Sequence, residues 1–195
     1  ELLAFPLNHR VETFGFMMRE KAPAFNVKKE AIGKYGLSLS EIGALKRGED
    51  VVRPAGPLTL ACIENGFCPC SGTDEPLVIP NSEAAYVPFV PRSYAYCSDT
   101  APFPELPEWV KGVSLLYHES TFPKDMADMA AKTFHSTTVQ AARCALEAGA
   151  GRLLVGHYSS RFHSVDFFLD ELREIFPNTE LARDRTSYEI PLVRQ

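Results

Sequence analysis

Nowhere in these 195 residues is there a run of about 18 apolar residues, so no helix of membrane-spanning length is expected. A basic-plus-apolar leader is also missing. Cysteine is sparse. The five, Cys62, Cys68, Cys70, Cys97 and Cys144, are odd in number and irregularly spaced, which speaks against a disulfide framework and fits a reducing cytoplasm. Cys62, Cys68 and Cys70 form no paired C-x-x-C knuckle and no histidine follows nearby, so buried or incidental thiols are expected there rather than a soft-metal site. Internal repeats and low-complexity tracts are absent. The net charge of −5 neither demands nor forbids a polyanionic partner, because phosphate recognition depends on local charge. One segment is locally basic: Lys21, Lys28, Lys29, Lys34, Lys46, Arg47 and Arg53 outnumber Glu30, Glu41, Glu49 and Asp50, a net of +3.

What is present suffices for a globular α/β fold. At 45% hydrophobic and 23% charged residues the chain can bury one substantial core. Three short apolar runs each stop at an ionisable cluster: Ser93-Tyr-Ala-Tyr-Cys-Ser-Asp99-Thr100, Val113-Ser-Leu-Leu-Tyr-His118-Glu119, and Leu153-Leu-Val-Gly-His157-Tyr-Ser-Ser160-Arg161. Buried strands followed by polar residues collect their chemistry at one sheet edge, where α/β proteins usually keep it.

The coarse order follows from breakers and periodicity. Residues 1 to 19 read as a strand, a polar turn at Asn8-His9-Arg10 and a second strand; the first begins immediately after Glu1, as if continuing something longer. Residues 20 to 55 read as a basic, helix-prone arm broken at Pro23, Gly33, Gly36 and Gly48. From Pro54 to Arg92 seven of the 15 prolines mark a loop-rich crossing with short strands at best. After residue 93 the expected order is strand, strand, helix, strand, helix, strand, with helices at Met126 to Ala148, interrupted around Phe134-His135-Ser136, and at Val165 to Ile175. Ser136, with Thr137, Thr138 and Gln140 after it, offers an N-cap whose free N–H groups would face an anion.

Taken singly, the ionisable residues have ordinary explanations. Asp99 fits a turn, His157 a structural imidazole at a strand end, and His118, closing an apolar run, a structural role. Jointly, His9, Asp99 and His157 are the ligand types that hold zinc or manganese, although the clustered H-x-H-x-D-H of metallohydrolases is absent. His135 with Glu119 makes an imidazole–carboxylate pair suited to protonating a leaving oxygen, or else a helix-capping histidine beside a surface glutamate. Arg161 with Ser159 and Ser160 reads as a phosphate clamp or a solvated turn.

Five segments, in order and with similar gaps, resemble the later motifs of ribonuclease Z, the tRNA 3′-processing endonuclease of the metallo-β-lactamase superfamily. They are Phe5-Pro-Leu-Asn-His9 through Phe16, Tyr96-Cys-Ser-Asp99-Thr100, Leu116-Tyr-His-Glu119-Ser-Thr-Phe122, Lys132-Thr-Phe-His135-Ser-Thr137 with Gln140-Ala-Ala142, and Gly156-His157-Tyr-Ser-Ser-Arg161-Phe162. The resemblance touches most of the chain except about 56 to 92. It implies that His9 and His157 are zinc ligands, that Asp99 bridges two zincs, and that His135, supported by Glu119, protonates the leaving 3′ oxygen. Arg161, Ser159, Ser160, Ser136 and Thr137 would hold phosphates near the cut. The basic stretch from Lys21 to Arg53 takes the place of the family's tRNA-gripping arm, with Gly36-Leu-Ser-Leu-Ser-Glu41 where the arm commonly has a Gly-Pro signature.

The resemblance further implies a cytoplasmic homodimer acting on precursor tRNA to leave a 3′-hydroxyl. Its fold would be a four-layer αββα sandwich, of which residues 1–195 supply mainly the second half, as a C-terminal portion. In the family a histidine-rich motif, including the general-base aspartate, precedes the Phe5-Pro-Leu segment and has no counterpart here, so this portion alone is expected to be inactive. Two other classes are consistent with the residues. A sibling hydrolase of the same fold, phosphodiesterase or arylsulfatase-like, would lack a tRNA-gripping arm; in a non-catalytic binding module, His135 and Glu119 would not converge with His9, Asp99 and His157.

Overall fold

The structure, a computed structural model, describes residues 1–57 and 70–193. Cys62 and Cys68 lie outside the described residues, and with them most of the expected thiol cluster. In chain order the strands are β1 Leu2–Pro6, β2 Phe14–Arg19, β3 Asn26–Val27, β4 Val51–Arg53, β5 Leu77–Ile79, β6 Ala85–Tyr86, β7 Ser93–Cys97, β8 Leu115–Glu119, β9 Leu153–Gly156 and β10 Thr179–Leu181. The chain divides into two compact units, one of Glu1–Lys21 and Pro91–Pro191, the other of Ala22–Val90 with Leu192–Gln195.

The first unit is built on a six-stranded sheet in the order β1-β2-β7-β8-β9-β10. Strands β7, β8, β9 and β10 run parallel, and parallel neighbours need crossover connections. The helices Ala127–Thr133 and Thr138–Ala148 provide one crossover and Phe168–Arg173 the next. The expected break at Phe134-His135-Ser136 is present, because Phe134 adopts a left-handed conformation, φ 61°, that closes the first of these helices. The last helix is shorter than the expected Val165 to Ile175, and a short helix at Leu106–Trp109 escaped the sequence pattern.

Alternation along the strands separates the two faces of this sheet. Phe5, Ala95, Cys97, Leu116, Leu153, Val155 and Leu181 turn inward and pack with Ala141, Ala145, Phe168 and Leu172 of the helices into one buried cluster. Gly15, paired with Phe5, is glycine because a Cβ there would collide with the Phe5 ring. On the opposite face Phe14, Phe16, Met18 and Tyr96 remain exposed, and Tyr96 stacks on Tyr117 at 4.7 Å between centroids.

The second unit carries two-stranded ladders β3–β6 and β4–β5, helices Lys29–Tyr35, Leu39–Lys46 and Asn81–Ala84, and its own core of Ala31, Leu37, Leu45, Val51, Ile79 and Ala84. Its basic surface is smaller than the charge count suggested. Lys34 pairs with Glu83 at 2.7 Å, Arg47 with Glu49 at 2.8 Å, and the buried Arg53 with Glu41 at 2.8 Å. Burial pushes the Glu41 carboxyl up, but hydrogen bonds from Arg53 and Ser38 outweigh it and hold it below the usual glutamate range.

Candidate active site

Strand direction decides where the chemistry gathers. Because β1 and β7 are each antiparallel to β2, they run the same way, so the C-terminal ends of β1, β7, β8 and β9 share one sheet edge. His9 follows β1, Asp99 follows β7, Glu119 ends β8 and His157 follows β9. His135 reaches the same edge from the turn between the two crossover helices. The side chains converge. His157 Nε2 lies 3.2 Å from Asp99 Oδ1 and His9 Nε2 4.0 Å from Asp99 Oδ2, while the His135 ring centroid is 5.1 Å from that of His9 and 5.2 Å from that of His157.

Backbone geometry aims these rings. His157 has φ 59°, a left-handed conformation uncommon outside glycine, so the chain turns sharply as it leaves β9. Gly156 before it has no room for a Cβ, because the Tyr117 hydroxyl packs against its Cα. The left-handed Phe134 presents its carbonyl oxygen 2.9 Å from His9 Nδ1. His135 Nδ1 lies 2.7 Å from Glu119 Oε1, and Thr121 Oγ1 lies 2.9 Å from His157 Nδ1. Each of the three imidazoles is thus anchored through Nδ1, which leaves Nε2 for the shared space.

These donors suit a metal ion. Two ligands on one ion, with bonds of about 2.1 Å, can stand no more than about 4 Å apart, and both nitrogen–oxygen distances at Asp99 meet that limit. The two oxygens of Asp99 face different histidines, and the Nδ1 anchors are of the kind that orient ligating histidines. Two imidazoles and one carboxylate are fewer donors than even one four-coordinate ion takes, which leaves room for water, substrate oxygens or further protein groups.

Glu119 is fully buried and saturated with donors. Oε1 accepts from Thr100 N–H at 2.9 Å and from His135; Oε2 accepts from Thr121 N–H at 3.0 Å and Thr121 Oγ1–H at 2.7 Å. His118 is also buried, its Nδ1 2.6 Å from the Glu119 carbonyl oxygen, and burial lowers its pKa, so it stands apart as a neutral structural residue. Ser159 and Arg161 line an open hollow of about 430 Å³ beside His9 and His135, and Ser160 is exposed on the same turn. Ser136 and Thr137 do not reach that surface. Ser136 is buried and donates to the Thr100 carbonyl, and Thr137, not Ser136, is the N-cap, because Gln140 three residues on completes its capping box. Both hydroxyls are therefore spent on structure and not on phosphates.

Sequence reasoning passed over three contributors. Thr121 lies within the His-Glu-Ser-Thr string, which was the available signal. Arg10, beside His9, lines the same hollow as Arg161. The Phe134 carbonyl left no signal, since any residue supplies one.

This sheet, with its helices packed on one face and metal-type donors at the strand ends, is shared with solved proteins of the metallo-β-lactamase fold. The metallo-β-lactamase fold protein YhfI of Bacillus subtilis aligns with TM-score 0.55 and 15% identity over 96% of this chain and 49% of its own. The short form of human tRNase Z aligns with TM-score 0.50 and 18% identity over 97% of this chain and 43% of its own. No protein-family model matches the chain. In sequence the chain is a homologue of ribonuclease Z. It is 37% identical to Ribonuclease Z of Bacteroides fragilis over 92% of this chain and 52% of that protein, and 38% identical to that of Cytophaga hutchinsonii over 96% and 54%. The chain spans about half the length of the curated relatives it matches.

Proposed function

We propose that the full-length protein is a zinc-dependent endoribonuclease that removes the 3′ trailer from precursor tRNA and leaves a 3′-hydroxyl on the tRNA. The observation that carries this reading is the convergence of His9, Asp99 and His157 with the Glu119–His135 pair at one sheet edge, in a homologue of ribonuclease Z. His9 and His157, through Nε2, and Asp99 would hold the zinc. When bound, zinc lowers the pKa of water and neutralises charge developing on the phosphate. Glu119 accepts from His135 Nδ1–H, so the ring turns Nε2 outward, and in its doubly protonated form it would pass the Nε2 proton to the leaving 3′ oxygen and be left neutral with Nδ1–H on Glu119. Arg10 and Arg161, with Ser159, hold phosphates flanking the cut. The unit Ala22–Val90, which contains most of residues 20–55, supplies a grip on the tRNA body. A cytoplasmic homodimer belongs to the same reading, and no helix among the described residues is long and apolar enough to cross a membrane.

His135→Ala in the full-length protein tests the assignment. Single-turnover cleavage of a 3′-extended tRNA should fall about 10² to 10⁴-fold, the size of a general-acid contribution, with tRNA affinity and bound zinc unchanged. A near-normal rate would make His135 structural. A rate loss that tracks lost zinc would make it a ligand, a role within reach because its nitrogen can lie within 4.8 Å of donors from His9 and Asp99.

A further inference from the structure

His118 takes no part at the sheet edge. Side chains alternate along β8, so His118 turns to the same face as Leu116, the face packed against the helices. Its partners in register, Cys97 on β7 and Val155 on β9, are fully buried, and the imidazole, 1% exposed, stands where the pattern calls for another apolar side chain. Its Nδ1 lies 2.6 Å from the Glu119 carbonyl oxygen, which can only accept, so Nδ1 carries a proton. Burial disfavours a second proton and leaves Nε2 with its lone pair. Among the described residues no protein donor meets Nε2, and the one polar side-chain atom that is both sealed from water and unpartnered is Ser120 Oγ. Nε2 is therefore open, and what His118 opens on is a cavity of about 200 Å³.

The cavity is bordered by the helices Leu106–Trp109 and Thr138–Ala148. Phe103 and Leu106 are apolar walls, and the Phe103 ring is braced edge-on against Trp109 at 5.8 Å between centroids, so this wall is formed in advance. Cys144 lines the cavity from the second helix, and burial pushes its thiol up to about 12, which keeps that wall uncharged as well. Arg143 and Glu147, exposed and one turn apart on the same helix, bring opposite charges to the lining. A charged ligand drawn to one would be repelled by the other, so the lining favours a neutral one. A dry cavity of about 150 Å³ holds benzene, and the space here therefore takes one ring with a small substituent. The buried acceptor adds a demand for an O–H or N–H group. We infer that this cavity is a binding site for a small neutral ligand, a single ring bearing a hydroxyl or N–H, held by the apolar walls with its donor on His118 Nε2. It lies under the helices, away from the sheet-edge constellation, and does not depend on the function proposed for that constellation.

Phenol is the probe, with toluene as the same ring without a donor, each titrated into the full-length protein and followed through the amide shifts of Phe103, Leu106 and Cys144. In a wholly apolar cavity a hydroxyl is penalised and toluene binds better. With Nε2 as acceptor, phenol should bind at least as tightly as toluene. His118→Phe, which keeps a ring and removes the acceptor, should weaken phenol about tenfold or more and change toluene about threefold or less. Toluene preferred by the wild type, phenol that moves none of these amides at about 20 mM, or phenol that binds His118→Phe as tightly as wild type each overturns the inference, and the cavity then holds water alone. If His118→Phe loses its dispersed amide spectrum, the wild type decides by itself. A crystal soaked in phenol should place the hydroxyl oxygen within about 3.2 Å of His118 Nε2, and a hydroxyl turned elsewhere, or no phenol in the cavity, overturns the inference in the same way.

Discussion

Replacing Glu119 by glutamine in the full-length protein changes little volume and removes one acceptor from a place where four donors converge. The amide has two orientations, and neither satisfies the site. With its nitrogen in the Oε1 position, His135 can recover by moving its proton to Nε2 and accepting at Nδ1, but Thr100 N–H has no alternative and faces another donor. With its nitrogen in the Oε2 position, the Thr121 hydroxyl can turn to the His157 carbonyl 3.1 Å away, but Thr121 N–H is stranded. Either way one buried backbone N–H is orphaned, which costs about 1–3 kcal/mol. Denaturant unfolding should show a lower midpoint with an unchanged slope. Cleavage of 3′-extended tRNA should fall by about 10²-fold or more, because the proton donor loses its orientation or its Nδ1–H anchor. A variant within about 0.5 kcal/mol of wild type that still cleaves at full rate would refute the bonding scheme, since nothing else in the site can absorb the lost acceptor.

Two further outcomes are expected. Replacing Ala22–Val90 by a short linker should weaken binding of precursor tRNA while leaving hydrolysis of a small phosphodiester; equal loss of both, measured side by side, would make this unit part of the catalytic body. The Glu41 carboxyl is held below its unfolded value, so its stabilising contribution is complete above the unfolded pKa of about 4.3 and is lost as pH falls through the lower folded value. Hydrogen-exchange protection factors at the amides of Leu45, Val51 and Ile79, taken relative to the intrinsic exchange rate at each pH, should therefore fall on acidification below that range in wild type and change less in Glu41→Gln, and identical profiles would remove the Arg53–Glu41 pair from the account.

The parts legible in the sequence were those written in local pattern. Apolar runs ending at Asp99, Glu119 and His157 announced both the strands and the edge where they meet, because a buried strand cannot carry such groups until it leaves the sheet. The break at Phe134-His135-Ser136 was legible from the hydroxyl run after it. Placement of hydroxyls within that run was not, since Ser136 and Thr137 are both plausible caps until Gln140 selects one. Arg53 was counted as surface charge although it is buried against Glu41, 12 residues away, a pairing that composition does not reveal. The core of the second unit was likewise hidden, because Ala31, Leu37, Leu45, Val51, Ile79 and Ala84 are too scattered for any one period to register. Thr121 stood in plain view, but its role depends on bonds to groups brought together only by the sheet.

The bond from His9 to the Phe134 carbonyl joins positions 125 residues apart, and His9 sits in the turn of the β1–β2 hairpin, whose first strand is an end strand of the sheet among the described residues. Edge strands are the first part of a sheet to fray, and contacts of such long sequence separation are the last to be rewarded during folding. The constellation therefore cannot assemble in a partly folded chain that has formed only the parallel strands. An ion shared by His9 and Asp99 would act as a clasp on that hairpin, binding only when the edge is docked and so shifting the balance against its peeling away.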